Sequence, residues 1–202
     1  MDVRDLGDLR KEVHSLDDSS RVLADFREAW IAPLKDNANG NFSFLRDLPN
    51  NVKDNVNSKL QVMDVQLDKA QRNVKVQEKI RSHVRQLIDW KLANFQGNHA
   101  KAKMLTSQLL NDDYMSLPAT IAQLREYDTS IKMVESHYHE ITELLHKTLS
   151  LDEAVYMMQM PHLKYLATLK RTAEKQKFIV RDLGRHLVSI ADQQNLRKMP
   201  LR

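Results

Sequence analysis

Residues 56–95 read VNSKLQVMDVQLDKAQRNVKVQEKIRSHVRQLIDWKLANF, and neither proline nor glycine interrupts them. Val56, Leu60, Met63, Leu67, Ala70, Val74, Ile80, Val84, Leu87, Leu92 and Phe95 recur mostly at steps of three and four. That is the period of one helix face, so the spacing predicts a long amphipathic helix ending near Phe95 and a shorter one around residues 100–110. An apolar stripe of this length needs other helices laid along it, which points to an antiparallel helical bundle.

The flanking segments extend the pattern. Asp17, Asp18, Ser19 and Ser20 are N-cap residue types, and Val22, Leu23, Phe26, Trp30 and Leu34 follow on one face. They predict a first helix over residues 20–35, with Pro33 in its last turn. Residues 36–51, with Asn39-Gly40 and Pro49, read as a loop whose Phe42, Phe44 and Leu45 pack onto the bundle. Residues 1–19 stand apart. Leu6, Leu9, Val13 and Leu16 have helical spacing, but at a chain end they suggest a docking peptide or a frayed end. Downstream, Ser116 and Pro118 open a further helix, whose stripe of Ile121, Leu124, Ile131, Val134, Tyr138, Ile141 and Leu145 reaches about Leu149.

Beyond Ser150 the signal changes. Ser150-Leu151-Asp152-Glu153 reads as a capping box opening a short helix or turn before Pro161. In the tail, Leu163, Leu166, Ala173, Val180, Leu183, Leu187 and Ile190 allow a helix. Leu163, Tyr165, Ala167 and Leu169 alternate instead, Gly184 suits a turn, and residues 186–190 suit a strand. Pattern alone leaves both readings open.

Composition narrows the chemistry. With 202 residues the chain suits one domain, or one with a small appendage. It has no cysteine, which excludes disulfides, thiolate metal sites and a cysteine nucleophile. Its four glycines, at 7, 40, 97 and 184, lie too far apart for a phosphate-cradling loop. The longest apolar run, residues 154–158, is far short of the ~20 residues that cross a bilayer. Residues 1–16 mix acids with bases and lack an apolar core, so no secretory signal is expected.

Charge alternates in blocks. Residues 1–50 hold 7 Lys/Arg against 10 Asp/Glu, residues 51–110 hold 11 against 5, residues 111–160 hold 3 against 9, and residues 161–202 hold 10 against 3. A chain folded back on itself would pair such blocks, or show opposite faces to different partners. Lys69, Arg72, Lys75, Lys79, Arg81, Arg85 and Lys91 are the candidates for phosphate contact, although they are spaced around the helix and have only Trp90 and Phe95 nearby for stacking.

The one metal-like cluster is Glu135, His137, His139, Glu140, Glu143 and His146. Glu143-x-x-His146 has the spacing of bundle di-iron sites, which need a second such pair. None is present, so a solvated polar face accounts for the cluster, and neither metal nor cofactor is expected. No serine lies in a nucleophile elbow, and His14, His83, His99, His162 and His186 are scattered.

Glu78-Lys79-Ile80-Arg81, followed by Val84, Leu87-Ile88, Lys91-Leu92 and Phe95, resembles the long helix of the Sld-five family, a subunit of the eukaryotic GINS complex. Leu23, Ala29-Trp30, Pro33 and Leu34 resemble that family's first helix. Residues 161–166, 177–180, 182–183 and 186–188 resemble its C-terminal β domain. Asp89 and Asn94 depart from the pattern, standing where the family usually has basic residues. The resemblance implies a helical domain at residues 20–149, a linker at 150–162 and a small β domain at 163–202.

It also implies a non-catalytic nuclear subunit in DNA replication. Such a subunit would bracket the replicative helicase with three other GINS subunits, the MCM hexamer and the Cdc-forty-five protein, and would help connect DNA polymerase and replisome adaptors. Direct DNA contact would be secondary. Trp30, Arg81, Arg85, Trp90, Leu92, Phe95, Val188 and Ile190 are the expected partner-interface residues. The competing expectation is a coiled-coil adaptor of another multiprotein complex, and it requires helix through the last forty residues.

Overall fold

The helical periodicity is realised throughout the computed structural model, which describes residues 3–36, 42–159 and 161–198. The helices are α1 (Val3–His14), α2 (Ser19–Phe26), α3 (Ala32–Lys35), α4 (Asn50–Asn73), α5 (Lys75–Phe95), α6 (His99–Gln108), α7 (Met115–Thr148), α8 (Leu151–Met158) and α9 (His162–Lys198). A 3-10 turn occupies Ser43–Asp47, and no strand occurs among the described residues.

Local chemistry sets the boundaries. Asp18 caps α2 as expected, its Oδ1 accepting from Ser20 N at 3.1 Å. The predicted long helix is two, broken at Val74, whose amide turns back to Gln71 O. Gly97 ends α5 with φ +70°, a conformation that suits glycine. Asn98 N donates to Ala93 O and Gly97 N to Asn94 O, the Schellman pair that satisfies the last carbonyls. Asn98 then caps α6 by accepting from Lys101 N at 3.2 Å. The capping box of α8 is present, with Ser150 and Glu153 each accepting from the other's amide.

Two π-helical turns, Arg27–Ile31 and Leu109–Tyr114, lie just before the prolines of α3 and α7. Proline lacks an amide and crowds the carbonyl four residues back. For Pro33 and Pro118 those carbonyls belong to Ala29 and Tyr114, both inside the widened turns. A widened turn at that place relieves the crowding a proline imposes on a regular helix.

The chain divides into two compact units. The first comprises residues up to Leu16, Lys75–Arg125, and residues from Glu174 onward. Its core joins Leu6 and Leu9 of α1 to Ile80, Val84 and Leu87 of α5, Leu117 and Leu124 of α7, and Leu183, Leu187 and Ile190 of α9. The N-terminal segment, expected as a docking or frayed end, is therefore a bundle helix. Its Leu6 and Leu9 are 5% and 4% exposed because they are part of this core.

The second unit comprises Asp17–Val74 and Glu126–Ala173. Phe26, Trp30, Phe42, Leu60, Met63, Leu67, Ile131 and Tyr138 are wholly or almost wholly buried in its core, so the loop aromatic Phe42 does pack inward. Around this core the acidic and basic blocks pair, Lys59 of α4 with Glu140 of α7 at 2.8 Å and Lys170 of α9 with Glu135 of α7 at 2.6 Å. Arg27 and Lys35, bases within the net-acidic first block, reach Asp68 and Asp64 of α4, acids within the net-basic second. These pairs are solvent-accessible, worth at most about 1 kcal/mol each, and mainly fix which rods lie side by side.

The expected β domain is not seen. Residues 163–198 belong to α9, and residues 199–202 lie outside the described residues. Leu166, Leu169, Ala173, Val180, Leu183, Leu187 and Ile190 are buried at helical spacing, while Leu163 and Ala167 of the alternating set are exposed. Pro161 immediately precedes α9, its carbonyl accepting from Lys164 N. The expected linker over 150–162 is largely α8.

Gly184, read from sequence as a turn residue, lies inside α9, where an added Cβ would meet only Leu117 Cδ2 at an ordinary 3.5 Å. Gly184→Ala should therefore stabilise the protein, by about 0.5–1 kcal/mol. Urea unfolding checks this, and a clear loss of stability would contradict a helix at that position.

Candidate functional site

The first unit buries a polar cluster between α5 and the start of α7. His83 Nδ1 lies 2.8 Å from Asp113 Oδ1, and His83 Nε2 lies 3.4 Å from Thr120 Oγ1. With its amide nitrogen toward the carboxylate, Gln86 donates to both Asp113 oxygens at 2.7 and 3.2 Å. Asp113 sits in the second π turn, and Pro118 lies between it and Thr120.

An acid, a histidine and a hydroxyl in line have the residue types of a nucleophilic triad. Accessibility argues otherwise here. Thr120 is 0% exposed and its hydroxyl donates to Ser116 O at 3.2 Å. The histidine contact at 3.4 Å is long for proton transfer. The cluster instead acts as a polar key, since sliding α5 along the π turn would strand a buried carboxylate.

The second unit holds the other buried histidine. His162, at the first turn of α9, is 0% exposed, stacks at 4.3 Å on Trp30 and hydrogen-bonds Tyr138 Oη through Nε2 at 2.9 Å. Burial pushes its pKa down from 6.5 to about 4 and pushes Tyr138 up to about 12, so both are neutral across ordinary pH. Trp30 Nε1 and His162 Nδ1 have no hydrogen-bond partner among the described residues.

The residues of the metal-like cluster are differently engaged. Glu135 takes Lys170 and lies 3.5 Å from His139, Glu140 takes Lys59, and Glu143 takes Lys147 at 3.4 Å. The lysines turn these carboxylates into inter-rod and surface pairs, and no potential metal-holding group of three appears among the described residues.

The expected interface residues scatter. Trp30 and Ile190 are core, 0% and 1% exposed in their own units. Trp90 is half-buried and donates from Nε1 to Thr106 Oγ1 at 2.8 Å, tying α5 to α6. Leu92, Phe95 and Val188 are 49%, 79% and 45% exposed.

Arg81, Arg85 and Leu92 do come together. With Val84, Ile88 and Asp89 they form the α5 wall of an open groove of about 510 Å³. Arg10, Val13 and His14 of α1 form the other wall. Arg81 is fixed by Glu78 Oε1 at 2.9 Å and Leu16 O at 3.1 Å, whereas Arg10 and Arg85 pair with nothing among the described residues. The α1 wall escaped the sequence reading. The position of His83 on the stripe between Ile80 and Leu87 is the signal that would have marked it as buried.

Comparison with protein-family models, curated proteins and solved structures finds no match.

Two measurements test these centres. His83→Ala leaves Asp113 without its histidine and should cost about 3–5 kcal/mol in urea unfolding, whereas the double variant His83→Leu/Asp113→Leu should recover much of it. A double variant as unstable as the single one would argue against the polar key. At His162 the unfolded chain binds more protons than the folded one between pH 6.5 and about 4. Its contribution is therefore complete above pH 6.5 and is lost as pH falls toward 4, by at most about 3 kcal/mol. The acid limb of a stability–pH profile should flatten in His162→Phe, and an unchanged limb would contradict this assignment.

Proposed function

We propose that this chain is a non-catalytic helical adaptor, a subunit whose bundle units present helix faces to other proteins of a multiprotein assembly. The observation that carries the reading is α9, helical from His162 to Lys198, because the adaptor expectation required helix there. The side chains left outside the two cores are consistent with it. Leu151 and Phe95 are 80% and 79% exposed, and Phe178 and Met115 are 57% and 71% exposed. A monomer tolerates scattered apolar residues, but so many large ones on helical faces favour contact with partners.

The more specific expectation, a GINS subunit of the replicative helicase, drew its strongest support from a helical domain followed by a β domain. Without that tail it rests on the correspondences along α2 to α5, and we carry it as an outcome of the test. Tagged protein purified from its native source should travel in gel filtration with stoichiometric partners that resist moderate salt. Leu92→Asp/Phe95→Asp, both on exposed positions, should release at least one partner without changing helicity. A chain that always elutes alone would overturn the adaptor reading. Three equimolar subunits recovered together with an MCM hexamer would restore the GINS assignment.

A further inference from the structure

The groove between α1 and α5 has the form of a helix seat. Its α5 wall repeats at i, i+3, i+4, i+7, i+8 and i+11 from Arg81 to Leu92, a rise of about 16 Å. Val13, Val84, Ile88 and Leu92 make the apolar part, and three guanidiniums with His14 surround it against a single carboxylate, Asp89. Two helices lined this way accept a third that is apolar on one face and acidic beside it.

A helix of that description exists in the protein itself. Eight-residue α8, about 12 Å long, turns Ala154 and Met157 into the core of the second unit and leaves Leu151, Val155 and Met158 exposed at i, i+4 and i+7. It carries Asp152 and Glu153 in its first turn and no basic residue. Length, apolar spacing and charge sign all complement the groove.

We infer that α8 of one copy docks in the α1–α5 groove of a second copy. Two different surfaces meet in such a contact, so each copy keeps one free groove and one free α8. Association is then head to tail and continues until a ring closes or a filament grows. The contact is small, which places it among weak, transient interfaces. Its guanidinium–carboxylate share makes it sensitive to salt. This inference shares Leu92 with the adaptor reading but does not rest on it, because it concerns only copies of this chain and is tested on the purified chain alone.

Sedimentation of the full chain over a concentration series at low salt provides the test. The wild-type chain should form oligomers that grow with concentration and dissociate as salt rises. Arg10→Glu/Arg85→Glu and Leu151→Asp/Val155→Asp should each remain monomeric with unchanged circular dichroism, a loss of at least about tenfold in association constant. Mixed in equal amounts, they should form a dimer that grows no further, since one supplies the intact α8 and the other the intact groove. A wild-type chain that stays monomeric would overturn the inference, even if its groove captured an acidic helix from another protein. Oligomers that persist in both variants, or variants that fail to complement on mixing, would overturn it as well.

Discussion

An apolar side chain every third or fourth residue, kept up through α4, α5, α7 and α9, leaves the chain one way of hiding it: rod against rod. The two cores are made of such stripes, and anything polar that falls on a stripe has to be satisfied inside. His83 meets that requirement with Asp113 and Gln86, and His162 meets it through Nε2 alone, with Tyr138. A stripe made only of leucine and valine tolerates sliding by a turn, because one apolar contact replaces another. A buried carboxylate with one histidine in reach does not, so the polar exceptions fix the alignment that the apolar majority leaves loose.

Much of this architecture was legible in the sequence. The first-helix cap at Asp18, the capping box at Ser150 and the stripe of α7 follow from side chains whose preferences are local. The tail was not legible, and the reason is specific. Thr172 and Gln176 lie on the buried face of α9, 2% and 1% exposed, and interrupt the apolar stripe where a helix reading needed it. Over residues 163–169 a period of two and a period of 3.6 then fit the same few apolar residues. Only the cover supplied by helices distant in sequence separates them.

The candidate surfaces show the same division. Arg81, Arg85 and Leu92 could be named because they share a helix with the long stripe, but their groove exists only because α1 lies beside them. Trp30 was expected at an interface on the family resemblance, although it also lies on the apolar stripe of its helix. It is instead the aromatic centre of its unit, with Phe42, Tyr138 and His162 around it. Asp113, thirty residues beyond its histidine, carries no sequence mark that separates it from Asp112.

The π turn at Leu109–Tyr114 has a consequence for sequence variation. Such a turn is an α-helix that has absorbed one additional residue. Losing any single residue from it would leave an unbroken helix, with every side chain on one side of the deletion swung by roughly 100° about the axis relative to the other. Secondary structure would hardly register the change, yet Leu105 before the turn and Thr120 after it would no longer both face α5. A single-residue gap at this point in a related chain would therefore mark a bundle that aligns its rods by some other means, and an alignment that smoothed the gap away would hide the difference.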